Sequence, residues 1–134
     1  MSGAYATGIT PVGDPDVTAA GRRSPVARAQ RALRKLRRFN PGLLCMTMGE
    51  EGAAALEGDR FHAVPAPPVK AVDTTGAGDV FRAGVIYGVL QGWDVPALLR
   101  FANAAAAISC TRPGAIASVP SLHDINKLLS NTSH

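Results

Sequence analysis

Aromatic side chains make up only 5% of the 134 residues, and cysteine occurs just twice, at Cys45 and Cys110. With so few rings, a core must be assembled from Ala, Val, Leu and Ile, which a chain that is 46% hydrophobic supplies. Close packing of that kind suits helices lying flat on a sheet. Two cysteines in separate apolar stretches do not make a disulfide scaffold. They read as buried free thiols, and the expected compartment is reducing and cytoplasmic. Cys and His show no metal-ligand spacing, and His62, His123 and His134 share no motif. No apolar run approaches the roughly 18 residues of a membrane helix. The stretch Ala104 to Ile108 is far too short, so no membrane partner is expected. A basic start followed by a long apolar run is also missing, so no signal peptide is expected.

The charge is uneven. Residues 1–40 carry eight basic and two acidic side chains, whereas residues 41–134 carry six basic and eight acidic. Basicity therefore belongs to the N-terminal segment. Its focus is a segment with Arg28, Arg31, Arg34, Lys35 and Arg38. Aromatic interleaving is absent there, so a solvated helix face is expected rather than a nucleic-acid site.

Residues 1–23, rich in Gly, Thr, Pro and Ala, show no period and read as a flexible or remnant arm. Ser24-Pro25 is a helix start, with Ser as cap and Pro in the first position. Val26, Ala29, Leu33 and Leu36 then follow 3-4 spacing, which predicts an amphipathic helix over 25–38. Leu43 to Met48 reads as a buried strand, and the segments 53–56 and 60–64 read as a hairpin. Pro65, Pro67 and Pro68 make an extended connection, and Val69 to Val72 reads as a last short strand. Three helices are expected after that: from the Gly-rich turn at 76–78 to about Gln91, from the cap Asp94 to about Cys110, and from the cap Ser121 to about Leu129. Gly84 and Gly88, one turn apart, allow a close neighbour, and Trp93 reads as a packing plug. The order fits an α/β layer architecture.

The chemistry is concentrated in Asp73-Thr74-Thr75-Gly76-Ala77-Gly78-Asp79. A Gly-rich turn opening a helix leaves backbone N–H groups pointing outward, and with the helix dipole they form an anion site. Gly76 and Gly78 permit the backbone geometry and the approach of a phosphate. Two carboxylates would repel a merely bound phosphate. They make sense if one takes a proton or helps hold a cation. Without further context, such a turn is more often a capping turn, with Asp73 or Asp79 as the cap.

The whole string resembles the C-terminal signature of the PfkB (ribokinase-like) carbohydrate kinases, Asp-Thr-x-Gly-Ala-Gly-Asp-x-Phe followed by a small pair. Phe81 and Ala83-Gly84 complete it. Thr47-Met48-Gly49-Glu50-Glu51-Gly52 resembles the family's Thr-x-Gly-x-x-Gly nucleotide loop. The segment 101–107 resembles the helix lining the adenine pocket, and segments 111–115 and 118–120 resemble the loop closing the monovalent-cation site. The likeness is good over 43–122, loose over 25–38 and absent over 1–23.

The resemblance implies the C-terminal portion, over residues 24–134, of a ribokinase-like three-layer αβα sandwich. It implies phosphorylation of a sugar or sugar-like alcohol with ATP and Mg2+, assisted by K+. Asp79 would be the base, and Gly76, Ala77 and Gly78 would offer amides to the transferring phosphoryl. Thr47, Gly49, Glu50, Glu51, Gly52, Gly78 and Asn103 would hold the nucleotide. Asp73, Thr75, Ser109, Arg112, Gly114 and Ser118 would supply potassium ligands, mostly through carbonyl oxygens. Arg82 falls where the signature varies and is expected to face solvent.

The family's Asn-x-x-Glu motif, sugar-binding strands and lid have no counterpart here. The expectation is therefore a C-terminal half that needs an N-terminal half or a homo-oligomeric partner. The alternative is a non-catalytic nucleotide-binding fragment. A third reading, an interaction protein using residues 22–38, rests on charge alone.

Overall fold

In the computed structural model, residues 24–132 are described. The arm over residues 1–23 lies outside them. Helix α1 spans Pro25–Leu36, starting where Ser24 Oγ accepts the Ala27 amide at 3.1 Å. Its buried side, Ala29 and Leu33, packs on Ala54, Leu56 and Phe61 of the sheet. The basic side chains Arg28, Arg31, Arg34, Lys35 and Arg38 face outward, as charge patterning requires.

The sheet has three antiparallel strands in the order β1-β2-β3, with β1 at Leu44–Thr47, β2 at Ala53–Glu57 and β3 at Arg60–Val64. The register pairs Met46 with Ala54 and Ala54 with Ala63. Alternation along β2 decides the layers. Ala54 and Leu56 face α1, while Ala53 and Ala55 face the opposite helices.

Those opposite helices are α2 (Ala77–Leu90) and α3 (Val95–Cys110). Asp94 Oδ1 accepts the Ala97 amide at 2.9 Å and caps α3, which is buried along nearly its whole length. Helix α4 (Leu122–Thr132) packs behind α3 through Ile125 and Leu129. It opens with a reciprocal cap, in which Ser121 Oγ accepts the Asp124 amide and Asp124 Oδ2 accepts the Ser121 amide, both at 3.1 Å. One helix below the sheet and helices above it make the expected three layers.

At Gly84, an added Cβ would stand 2.8 Å from the Ala102 Cα, so α2 and α3 touch almost backbone to backbone. Trp93 fills the joint between them, with its ring centroid 5.6 Å from Tyr87 and 5.1 Å from Phe101.

Two strand expectations need correction. The segment 69–72 is not a strand; it continues the coil that begins at Pro65. The three nearby prolines remove ladder donors, and the amides of Val72 and Asp73 both bond to the Cys110 carbonyl instead, at 2.7 and 3.0 Å. Strand β1 is half-buried rather than buried, because among the described residues only β2 pairs with it. The two thiols are free and likewise half-buried. Burial pushes the Cys45 thiol up to about 11.

No motif or period singled out Arg37. Its guanidinium donates to the carbonyls of Asn40, Gly42, Leu56 and Gly58 at 2.6–3.1 Å, locking the end of α1 onto the β2–β3 hairpin.

Candidate active site

The start of α2 differs from the other three helix starts. Gly76 takes its N-cap position with φ +80°, and no side chain caps the helix. Glycine adopts that conformation without a steric penalty. The Asp73 carboxylate, an obvious capping candidate, turns elsewhere. Its Oδ1 accepts the Thr75 amide at 2.9 Å and its Oδ2 accepts the Gly114 amide at 3.0 Å. The Ala77 amide donates within the turn, to the Thr74 carbonyl at 3.1 Å. The amides of Gly76, Gly78 and Asp79 find no acceptor among the described residues. Of the three expected anion donors, Gly76 and Gly78 are therefore open and Ala77 is occupied, while Asp79 adds a donor that was not expected.

Of the three residues with open amides, Gly78 lines an open groove of about 790 Å³. The groove is lined by Ala77 and Gly78 of α2, by Thr47 at the end of β1 and by Gly49, Glu50 and Gly52 from the β1–β2 loop. The loop is tight, with a 3-10 turn over Gly49–Glu51 closed by a 2.8 Å bond from the Met48 amide to the Gly52 carbonyl. Gly52, at φ +104°, lies so close to the coil after β3 that a Cβ would stand 2.7 Å from the Ala66 amide nitrogen. Glycine there lets the loop rest on the coil, and the coil's Pro67, Pro68 and Val69 form the groove wall.

Asn103, Ala106, Ala107 and Cys110 of α3 also line the groove. Asn103 is only 5% exposed, and its Nδ2 donates to the carbonyls of Val64 and Pro65 at 3.1 and 3.4 Å. It fixes the end of β3 over α3 and so shapes the groove wall. Glu51 does not line the groove, and neither does Asp79. The proline wall was missed because an extended coil has no hydrophobic period; only the three prolines marked it.

Asp79 stands in the first turn of α2 with its side chain 82% exposed, and its Oδ1 is 3.6 Å from Nη2 of Arg82. Arg82 faces solvent, as expected.

Of the six residues assigned to potassium, three are linked and three bond elsewhere. Asp73, Thr75 and Gly114 are joined by the Asp73 bonds, and Gly76 lies against Ala115 of the same loop. Ser109 and Ser118 are buried, with Oγ donating to the carbonyls of Ala106 and Ala115 at 2.7 and 3.2 Å. The Arg112 side chain points away, to Asp124 Oδ2 at 3.2 Å. Hydrogen bonds to Ser121 and Arg112 lower the Asp124 pKa. Among the described residues, no three His, Cys, Asp or Glu side chains gather as a metal site.

Hydrogen bonds from Thr75 and then Gly114 hold the Asp73 carboxyl down to about 2. A depressed folded-state value means that its stabilising effect is complete above the unfolded value of roughly 3.9. The effect is lost as the pH falls towards about 2. The Tm gap between the parent and Asp73→Asn should therefore narrow between about pH 4 and pH 2. Thermal melts across that window check this. A gap independent of pH would show that the carboxylate charge is not what holds the loop.

A family model described as pfkB family carbohydrate kinase matches residues 16–122. The chain belongs to that family. It is 40% identical over 90 residues to the ribokinase of Bacillus subtilis, covering 67% of this chain and 31% of that protein. It is 43% identical over 100 residues to a fructokinase of Klebsiella pneumoniae, covering 69% and 32%. The structure of Arabidopsis thaliana ribokinase complexed with ribose and ATP matches with a TM-score of 0.70 and 32% identity, over 75% of this chain and 33% of that one. The fold is thus ribokinase-like. The chain spans about a third of the length of these relatives, less than the half expected.

Proposed function

We propose that this chain is the nucleotide-binding and phosphoryl-transfer portion of an ATP-dependent kinase acting on a sugar or sugar-like alcohol. The observation that carries the proposal is the uncapped N-terminus of α2 opening onto the groove. An added Cβ at Gly78 would meet no atom within 4 Å, so there is room for a phosphate to approach the backbone. Open amides and the helix dipole favour anionic oxygens there.

The nucleotide would lie along the groove, with its base against the apolar coil at Pro67 and Pro68 and its phosphates towards Gly78. Asp79 would accept the proton of the sugar hydroxyl as that oxygen bonds to the terminal phosphorus and the bond to the ADP oxygen breaks. A carboxylate is a weak base, but the attacking hydroxyl becomes acidic as the new bond forms. The amides of Gly76, Gly78 and Asp79 would stabilise the charge that accumulates on the phosphoryl oxygens. Magnesium bound with the nucleotide would neutralise phosphate charge, and Glu50, the acidic side chain lining the groove, would help hold it. Potassium would sit where Asp73 joins the 111–118 loop to the turn, held mainly by carbonyl oxygens of that region. Two free thiols suit a reducing, cytoplasmic setting.

A second reading is nucleotide binding without transfer. The 82% exposure of the Asp79 side chain favours it, since nothing among the described residues covers a sugar there. Calorimetry with Mg-ATP tests the shared part of both readings. Gly78→Val should fold like the parent, because the position is open, yet bind at least roughly tenfold more weakly, because a branched side chain stands in the phosphate path. Equal heats for parent and variant would remove the turn from the nucleotide site.

A further inference from the structure

The loop over residues 111–121 leaves the end of α3 and returns to the start of α4. An ion pair closes its base: Nη2 of Arg112 donates to Asp124 Oδ2 at 3.2 Å. The same Oδ2 accepts the Ser121 amide at 3.1 Å, where α4 opens. One carboxylate oxygen thus holds both ends of the loop. The tip of the loop meets the anion turn. The Gly114 amide donates to Asp73 Oδ2 at 3.0 Å. A Cβ on Gly76 would stand 3.2 Å from Cβ and 3.4 Å from Cα of Ala115. Within the tip, the buried Ser118 hydroxyl donates to the Ala115 carbonyl, and the Val119 amide to the Ile116 carbonyl. The rest of the loop is irregular, so its base governs the freedom of its tip. Pinning the ends of a segment narrows the positions open to its middle.

We propose that Arg112 and Asp124 are positioning residues for the nucleotide phosphates. By closing the base of the loop they hold Gly114 on Asp73 and Ala115 behind Gly76, and so keep the open amides of Gly76, Gly78 and Asp79 in place. The proposal rests on the reading of that turn as a phosphate site. Neither side chain lines the groove, so both act through the loop and not by contact. Capping does not explain the pair, because Ser121 and Asp124 already complete the cap of α4 without Arg112. Nor does bulk stability. The two side chains are 40% and 33% exposed, and ion pairs that open to water contribute little. What the pair does is select one loop position, since guanidinium and carboxylate meet in a defined geometry.

Calorimetry on the 134-residue chain tests this with Mg-ATP and with adenosine, which lacks the phosphates. Arg112→Met keeps the side-chain stem and the α4 cap but removes the cation. It should weaken Mg-ATP binding roughly 3–30-fold, the range for residues acting through a connected network, and leave adenosine affinity within about twofold. General loosening of the fold would lower both alike. Arg112→Lys should restore most of the loss. Asp124→Asn still accepts the Ser121 amide and should reproduce the Arg112→Met effect; it carries the test alone if Arg112→Met does not fold. A cycle with Asp73→Asn reads the route. Both changes act on one loop, so Asp73→Asn should cost less Mg-ATP affinity in the Arg112→Met background than in the parent, whereas independent sites would add. Where adenosine heats are too small to fit, this cycle decides alone. Unchanged Mg-ATP affinity in both single variants, an equal loss for adenosine, or strict additivity would overturn the proposal. A parent that binds no Mg-ATP counts against the phosphate reading instead. The same cycle in urea midpoints then decides the clasp, with additive shifts against it and non-additive shifts for it.

Discussion

On the proposed kinase reading, Asp79→Asn should lower turnover roughly 10²–10⁴-fold, the usual cost of removing a positioned general base. Asparagine preserves the shape of the side chain but cannot take the hydroxyl proton. The fold should be untouched, because the side chain is 82% exposed and its one charged partner, Arg82 at 3.6 Å, is itself exposed. An exposed pair of this kind contributes little to stability. Nucleotide affinity should hold or rise slightly, since a negative charge near the phosphates disappears. Steady-state kinetics with sugar and Mg-ATP, paired with calorimetry, separate the two effects. Undiminished turnover in the variant would take Asp79 out of the mechanism. A large loss of ATP affinity would instead give it a binding role.

Replacing Gly84 with Val should destabilise the chain by at least about 1–3 kcal/mol, the range for forcing extra atoms into a packed core. The reason lies in the backbone. The first added carbon would sit 2.8 Å from the Ala102 Cα and 3.1 Å from its Cβ, and neither can rotate away. The helices would have to part, opening the layer shared by Phe81, Leu98 and Leu99. A single domain has only about 5–15 kcal/mol in total, so the loss is a substantial share of its stability. Ala83→Val, at the neighbouring exposed position, is the control and should change stability by no more than about 0.5 kcal/mol. Urea midpoints of the two variants decide the matter. If both shifts are small, the α2–α3 contact is more compliant than its geometry implies.

What could be read in the sequence was what has a local cause. Ser24, Asp94 and Ser121 cap helices because their side chains reach an amide three residues away. Gly84 and Gly88 marked the helix contact, and the hairpin followed from the turn at Glu57-Gly58-Asp59. The groove residues Thr47, Gly49, Gly52 and Gly78 were found through motif likeness, and the fold brings them to one cavity. What was hidden depends on distant partners. The reach of Arg37 to Leu56 and Gly58 spans about twenty residues of chain, and no local pattern announces it. The Asp73–Gly114 bond is of the same kind. Asn103 looked like a ligand contact, yet its amide spans 38 and 39 residues to hold backbone carbonyls. The short strand expected at 69–72 failed because its apolar residues line a groove and face solvent instead of entering a ladder.

Trp93 is the only tryptophan in the chain, and it stands edge-on to both Tyr87 and Phe101 at the joint of α2 and α3. Its emission and near-ultraviolet dichroism are therefore an optical gauge of that joint, needing no label. Separation of α2 from α3 would move the signal at once. Because α2 also carries the open amides of Gly76, Gly78 and Asp79 at its other end, the response of that helix to added Mg-ATP and its loosening in denaturant can both be followed through a single native chromophore.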